Sequence, residues 1–170
     1  AADALVDFDS QLAEDALIKS LNNGNPVARA WSLHVIAARG HVDAALDVVP
    51  ILEDDDRSVR LSAVRTLYRL GESSAIFPVR MFLSDPDVHL RGAAVYALGA
   101  LGDRDSVSTL CLALTDPTAW VRRNAAWSLL QIGEALNLVA SMSRDQDAGV
   151  RSFAARARQL LELGSGSDSS

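Results

Sequence analysis

The sequence predicts an all-α solenoid of about five two-helix repeats with a 31-residue period, and three observations predict it. Arg29, Arg60, Arg91 and Arg122 stand 31 residues apart. Gly40, Gly71, Gly102 and Gly133 keep the same interval. Between them, small residues at Ser32, Ala63, Ala94 and Ala125 and large apolar ones at Ile36, Leu67, Leu98 and Leu129 recur in register. A degenerate last copy starts two residues early at Val150-Arg151, with Ala154 in the small position. One helix pair cannot bury its apolar stripe alone, so consecutive pairs stack and build a continuous core.

The repeat domain is expected over residues 1–163, with repeats at roughly 10–40, 41–71, 72–102, 103–133 and 134–163. At its start, Leu5, Val6 and Phe8 read as a cap over the end of the stack, and the arginine-rich segment 151–163 as the cap at the other end. Three of the second helices open on a cap and a proline: Asn25-Pro26, Asp85-Pro86, Asp116-Pro117. The side-chain oxygen accepts from free amides, and proline fits the first turn. The helix then runs through residues such as Leu90, Ala94, Ala97, Leu98 and Leu101 at helical spacing, and Gly102 ends it where a left-handed residue is wanted. First helices are shorter, as in Val107, Leu110, Cys111 and Leu114. Pro50 and Pro78 fall within them and predict late starts or kinks. Residues 164–170, rich in Gly and Ser, read as a flexible tail or tag.

Composition narrows the function classes. With 49% hydrophobic residues the chain is too apolar for disorder. Its one cysteine, Cys111, sits in an apolar run and reads as a small core residue. Without an internal disulfide, a cytoplasmic or other reducing-side soluble domain is the expected setting. No apolar run is long enough to span a bilayer. The net charge of -6 argues against a nucleic-acid binder, which carries a basic footprint.

Catalytic signatures are missing. His34, His41 and His89 are dispersed and none precedes a glutamate. No second cysteine supports a zinc site, and no glycine-rich loop could cradle phosphates. Nothing in the spacing positions a Ser-His-Asp set. The expectation is a non-enzyme with no metal and no cofactor.

The stretch from Asp85 through Pro86, Leu90, Arg91, Ala94, Ala97 and Leu98 to Gly102-Asp103 resembles the HEAT-repeat family, specifically the short repeats of the phycobilisome lyase type (E/F lyase-like). That resemblance covers roughly residues 10–163 and implies a right-handed superhelix whose second helices line the concave side. It also implies that the repeated arginine bonds the aspartate in the turn before it. Asp85 with Arg91 and Asp116 with Arg122 fit this ladder, as does Asp54 or Asp56 with Arg60, and Arg151 continues it. Asn25 replaces the acid before Arg29, so that rung should be weak or absent.

With the ladder set aside, one face of the second helices remains. Helical spacing places His34, Arg65, Tyr96, Trp127 and Arg156 in one column, with His89, Trp120, Arg123 and Arg69 in columns beside it. Trp31 and Phe153 fall in another column and read as core. Twelve of the fifteen arginines lie in second-helix segments, whereas acids crowd the first helices and turns. Arg, Trp and Tyr dominate interface hot spots because each buries a large area and still makes directed polar contacts.

The sequence therefore points to a protein-interaction scaffold or adaptor, free or within a larger multidomain protein, that grips a helix or acidic segment of a partner on this face. The resemblance implies an alternative, a bilin lyase or chaperone-like subunit of phycobiliprotein maturation, in which the same arginines would meet pigment propionates. Nucleic-acid binding through the arginine face ranks third.

Overall fold

The structure is a computed structural model that describes residues 2–71 and 73–167, with side chains over 12–22, 24–71 and 73–163. The end cap expected of Leu5, Val6 and Phe8 lies outside the described side chains. The described residues are helical and contain no strand: α1 (Ala2–Asn23), α2 (Pro26–Arg39), α3 (Ala45–Val48), α4 (Arg57–Leu70), α5 (Ile76–Arg80), α6 (Val88–Ala100), α7 (Val107–Ala113), α8 (Ala119–Ile132), α9 (Leu136–Ser141) and α10 (Ala148–Ser167). The backbone of α10 thus runs through residues 164–167, into the segment read from sequence as a tail.

Even-numbered helices are the second helices of the repeats. Odd-numbered ones from α3 onward are short and flanked by 3-10 turns. At Pro50 the reason is chemical: the ring has no N–H to donate, and the chain continues past Val48 as a 3-10 turn over Val49–Glu53. Gly40, Gly71, Gly102 and Gly133 all have φ between 67° and 77°, the left-handed conformation that closes a helix and that only glycine adopts without a Cβ penalty.

The chain divides into two compact units, Ala1–Pro78 and Val79–Ser170. In the first, Leu33, Ile36, Val48, Val59, Val64 and Leu67 are fully buried as α2 packs on α4. In the second, Val95, Leu110, Val121, Leu129 and Val139 form the core around the α6–α8 contact. The small column Ala63, Ala94, Ala125 and Ala154 is wholly buried, and Ser32 nearly so, which lets neighbouring second helices approach closely. Side-chain hydroxyls cross these contacts. Thr66 Oγ1 donates to the Leu33 carbonyl at 3.1 Å and Ser128 Oγ to the Val95 carbonyl at 2.8 Å, each 33 residues back along the chain.

Two sequence expectations change at the helix starts. Asn25 does cap α2, accepting from the Ala28 N–H at 2.9 Å. However, α6 and α8 begin after Asp87 and Thr118, so Asp85-Pro86 and Asp116-Pro117 lie in the turn before them. There the aspartate closes an Asx turn, its Oδ1 accepting the N–H two residues on: Asp54 to Asp56, Asp85 to Asp87, Asp116 to Thr118 and Asp145 to Asp147, at 2.7–2.8 Å.

That turn chemistry also redirects the ladder. Each arginine grips the main-chain carbonyl, not the carboxylate, of the aspartate in its own turn: Arg60 to Asp54 and Arg91 to Asp85 at 2.7 Å, Arg122 to Asp116 at 2.9 Å and Arg151 to Asp145 at 2.8 Å. In three of the ladder arginines the remaining nitrogens reach the carboxylate of the next repeat. Arg29 donates to Asp54 at 2.8 Å, Arg91 to Asp116 at 2.7 Å and Arg122 to Asp145 at 2.8 Å. The rung expected to be weak at Arg29 is present, because its acid comes from the following turn and Asn25 has no part in it.

Electrostatics follow this geometry. Burial alone would raise the Asp116 carboxyl, but the hydrogen bond from Arg91 and the Thr118 N–H outweigh it and hold the group below the usual carboxylate range. Asp145 is lowered chiefly by Arg122, and Asp54 and Asp103 are lowered too, against burial, by Arg29 and by Arg80 with Ser106. A carboxylate whose folded pKa is depressed contributes stability that is complete above its unfolded pKa, near ~3.9, and is lost as pH falls through the folded value. The melting temperature should therefore hold level from neutral pH down to about pH 5 and fall steeply below about pH 4. Asp116→Asn should melt lower at neutral pH and lose part of that acid slope in circular-dichroism melts. An unchanged melting temperature for Asp116→Asn would contradict the assignment.

Candidate functional site

The arginines of the second helices divide into engaged and unengaged groups. Arg29, Arg91 and Arg122 are held in the ladder by two kinds of acceptor each. Arg123, expected on the binding face, is fixed in a bidentate pair with Asp147, its Nη2 at 2.6 Å from one carboxylate oxygen and its Nε at 3.1 Å from the other. That pairing holds the Asp147 carboxyl down at about 2. Arg156 bonds Gln159 on its own helix at 2.8 Å. Arg65 and Arg69 differ: both are exposed, and among the described residues neither forms an ion pair. They stand one helical turn apart on α4, on the same face.

The expected aromatics of the second unit are drawn inward. Tyr96 and Trp127 stack nearly parallel, ring centroids 4.2 Å apart and 12° between planes. Trp120 lies against the backbone of α6: a Cβ on Gly92 would stand only 2.1 Å from its Cζ3 atom, so that glycine is what admits the ring. His89 is exposed and 5.7 Å from Trp120, tilted against it. These residues are brought together as packing between α6 and α8, which leaves less of each ring for a partner than the sequence pattern suggested. Phe153 is partly buried against the core of the second unit.

Trp31 departs most from expectation. Read as core, the residue is 64% exposed. The equivalent positions in later repeats carry Ser62 and Asn124, both half-buried, and Ala93, which is buried, so burial varies along this column and residue type alone does not place Trp31. His34, one turn further on, meets the Trp31 ring edge-on with centroids 5.8 Å apart.

In the first unit these side chains border two adjoining concavities between α2 and α4. The larger, about 500 Å³, is floored by Pro26, Val27, Ala30 and Trp31, with Asp56 and Ser58 on its far wall. The smaller, about 180 Å³, is bordered by Ala37, Ser62, Arg65 and Arg69. Ala30 and His34 line both. The larger lies within the volume range of ordinary ligand pockets. The sequence reading found His34, Arg65 and Arg69 but missed the apolar floor, whose members 27, 30, 31 and 34 do follow helical spacing.

Other chemistry is sparse. Among the described residues no group of three His, Cys, Asp or Glu side chains comes together to hold a metal, and no helix is long and apolar enough to cross a membrane. Burial pushes the Cys111 thiol above its ordinary pKa, away from the reactive thiolate.

The 31-residue helix pair, its glycine stop and its arginine ladder define a repeat class, and a family model of HEAT repeats matches residues 14–89, 46–129 and 78–159. The chain belongs to the HEAT-repeat family. No curated protein sequence matches it significantly. Among solved structures it is similar to a chain of the complex of CpcE and CpcF of phycocyanin lyase from Nostoc sp. PCC7120, with a TM-score of 0.77 and 22% identity over 87% of this chain and 64% of that one. The chain thus spans less than two thirds of that lyase chain. An engineered protein aligns with a TM-score of 0.68 at 19% identity, covering 85% of this chain and 77% of its own. YibA from Escherichia coli aligns with a TM-score of 0.57 at 17% identity, covering 88% and 73%. At these identities the likeness carries the fold.

Gly92→Ala should cost on the order of 2 kcal/mol, because the added methyl collides with a ring that cannot move without unpacking α6 from α8. Trp127→Ala should cost about 2 kcal/mol through loss of the stack and of buried area. Urea titrations check both, and midpoints equal to wild type would contradict the packing described.

Proposed function

We propose that this HEAT-repeat chain is a non-catalytic protein-interaction module that takes a segment of a partner protein on the second-helix face of residues 26–70. The observation that carries the reading is the pair Arg65 and Arg69, exposed and without an ion pair among the described residues, beside two concavities and an exposed Trp31. Exposed arginine next to exposed tryptophan is the composition of an interface hot spot. Tyr96, Trp120, Trp127, His89, Arg123 and Arg156 remain secondary candidates, since their internal contacts limit what they can offer. A reducing, cytoplasm-like setting suits the single thiol.

Affinity capture from a lysate of the source organism tests the proposal, comparing wild type with a Trp31→Ala, Arg65→Glu, Arg69→Glu variant. The expected result is a protein retained by wild type and lost by the variant while circular dichroism stays unchanged. Equal recovery by both would reject the α2–α4 face.

A second reading is favoured by one observation, the 0.77 TM-score to a chain of a phycocyanin lyase complex. Under it the chain is a lyase-like or chaperone-like subunit of phycobiliprotein maturation, and the two arginines would meet the propionates of a bilin. Purification after co-expression with a bilin-producing pathway decides it: visible absorbance bound to the protein supports this reading, and a colourless product rejects it.

A further inference from the structure

The two concavities differ in chemistry and lie in a fixed order. On α2 the larger is bordered by positions 26–34 and the smaller by positions 30–37, so their centres are displaced by about one helical turn, ~5 Å at 1.5 Å per residue. The first has an apolar floor and an exposed indole. Its far wall is acidic: the Asp56 carboxylate accepts from the Ser58 and Val59 amides and the Ser58 hydroxyl, and apart from the shared His34 no basic side chain lines that concavity. The second is crossed by Arg65 and Arg69 and has no acid among its lining residues.

A carboxylate is therefore repelled at one end and drawn to the other, while a bulky apolar side chain is accommodated at only one of them. Repulsion at the wrong end sets direction as much as attraction at the right one.

Resting on the interaction reading above, we infer that the α2–α4 face is a two-part, polar-ended site. It recognises a peptide segment in which a large apolar side chain and a carboxylate project from one face roughly 5–6 Å apart. In a helical partner those residues are three or four apart, and in an extended one, at ~3.3 Å per residue, two apart. The apolar group seats over Val27, Ala30 and Trp31. The carboxylate meets Arg65 and Arg69, which can each offer a planar fork of donors. His34, shared by both concavities, sits where the partner backbone crosses.

A random dodecapeptide display library, panned in parallel on wild type, on Arg65→Glu/Arg69→Glu and on Trp31→Ala, tests this. All three positions are exposed, and a milder Arg65→Gln/Arg69→Gln variant guards against any loss of fold, which circular dichroism would reveal. Wild type should enrich peptides that pair a bulky apolar residue with Asp or Glu at the stated spacings. Those peptides should bind the Gln variant about tenfold more weakly, the scale of one lost charge-assisted contact. The Glu variant should enrich Lys or Arg in place of the acid, and Trp31→Ala should lose the apolar preference. Peptides that depend on this face but carry no acid, or keep it on the Glu variant, would overturn the inference and leave the interaction reading standing. Enriched peptides insensitive to all the substitutions, or no enrichment at all, would overturn both.

Discussion

Asp116 is held from two sides. Its carbonyl accepts from Arg122 of its own repeat and its carboxylate from Arg91 of the repeat before, while Oδ1 also closes the turn by accepting the Thr118 N–H. Asp54 and Asp145 stand in the same arrangement between Arg29 and Arg60 and between Arg122 and Arg151. Side chains of Asp54, Asp116 and Asp145 are at most 9% exposed, so these charge-assisted bonds work in a partly desolvated setting. The bonds fix where each turn sits relative to the previous second helix. Everything else in a repeat, from the small column to the glycine stop, presupposes that register.

The same bonds shape what the surface can do. An arginine committed to two acceptors cannot also serve a ligand without breaking a buried pair, at a cost of several kcal/mol. The ladder therefore removes Arg29, Arg91 and Arg122 from the pool of binding groups, whereas Arg123 is held by Asp147 in an exposed pair that a ligand could displace at smaller cost. Among the described residues of the first unit Arg39 and the α4 pair remain exposed and uncommitted, and of these it is the α4 pair that lines the concavity adjoining the apolar floor. In the second unit, aromatic stacking between α6 and α8 takes up surface that the sequence pattern alone assigns to a partner.

The fold was legible because periodicity acts on every repeat at once. The arginine, glycine and small columns each restate the 31-residue unit, and the buried sets at Ala63, Ala94 and Ala125 follow directly from them. Helix starts were less legible. Asp-Pro looks like a cap followed by a first turn, and only the competing Asx turn moves the start of α6 to Val88. The direction of the ladder was hidden for a related reason: the near aspartate and the far one are both available in sequence, and the near carboxylate is occupied by its own turn. Trp31 and Arg123 illustrate two further limits. A large apolar residue pulls a reading toward the core in a column whose burial varies from repeat to repeat, and an acid 24 residues away gives no local sign that it will capture an arginine.

The central claim is that structure engages one set of arginines and leaves another for a partner. Nitrogen–proton NMR correlation of the arginine side chains, with proton exchange measured at neutral pH, reads that division directly. Nε–H signals of Arg91 and Arg122, which donate to Asp116 and Asp145, should be sharp and protected from exchange. Those of Arg65 and Arg69 should exchange rapidly with water. Protected signals at Arg65 and Arg69, or rapid exchange at Arg91 and Arg122, would contradict the account.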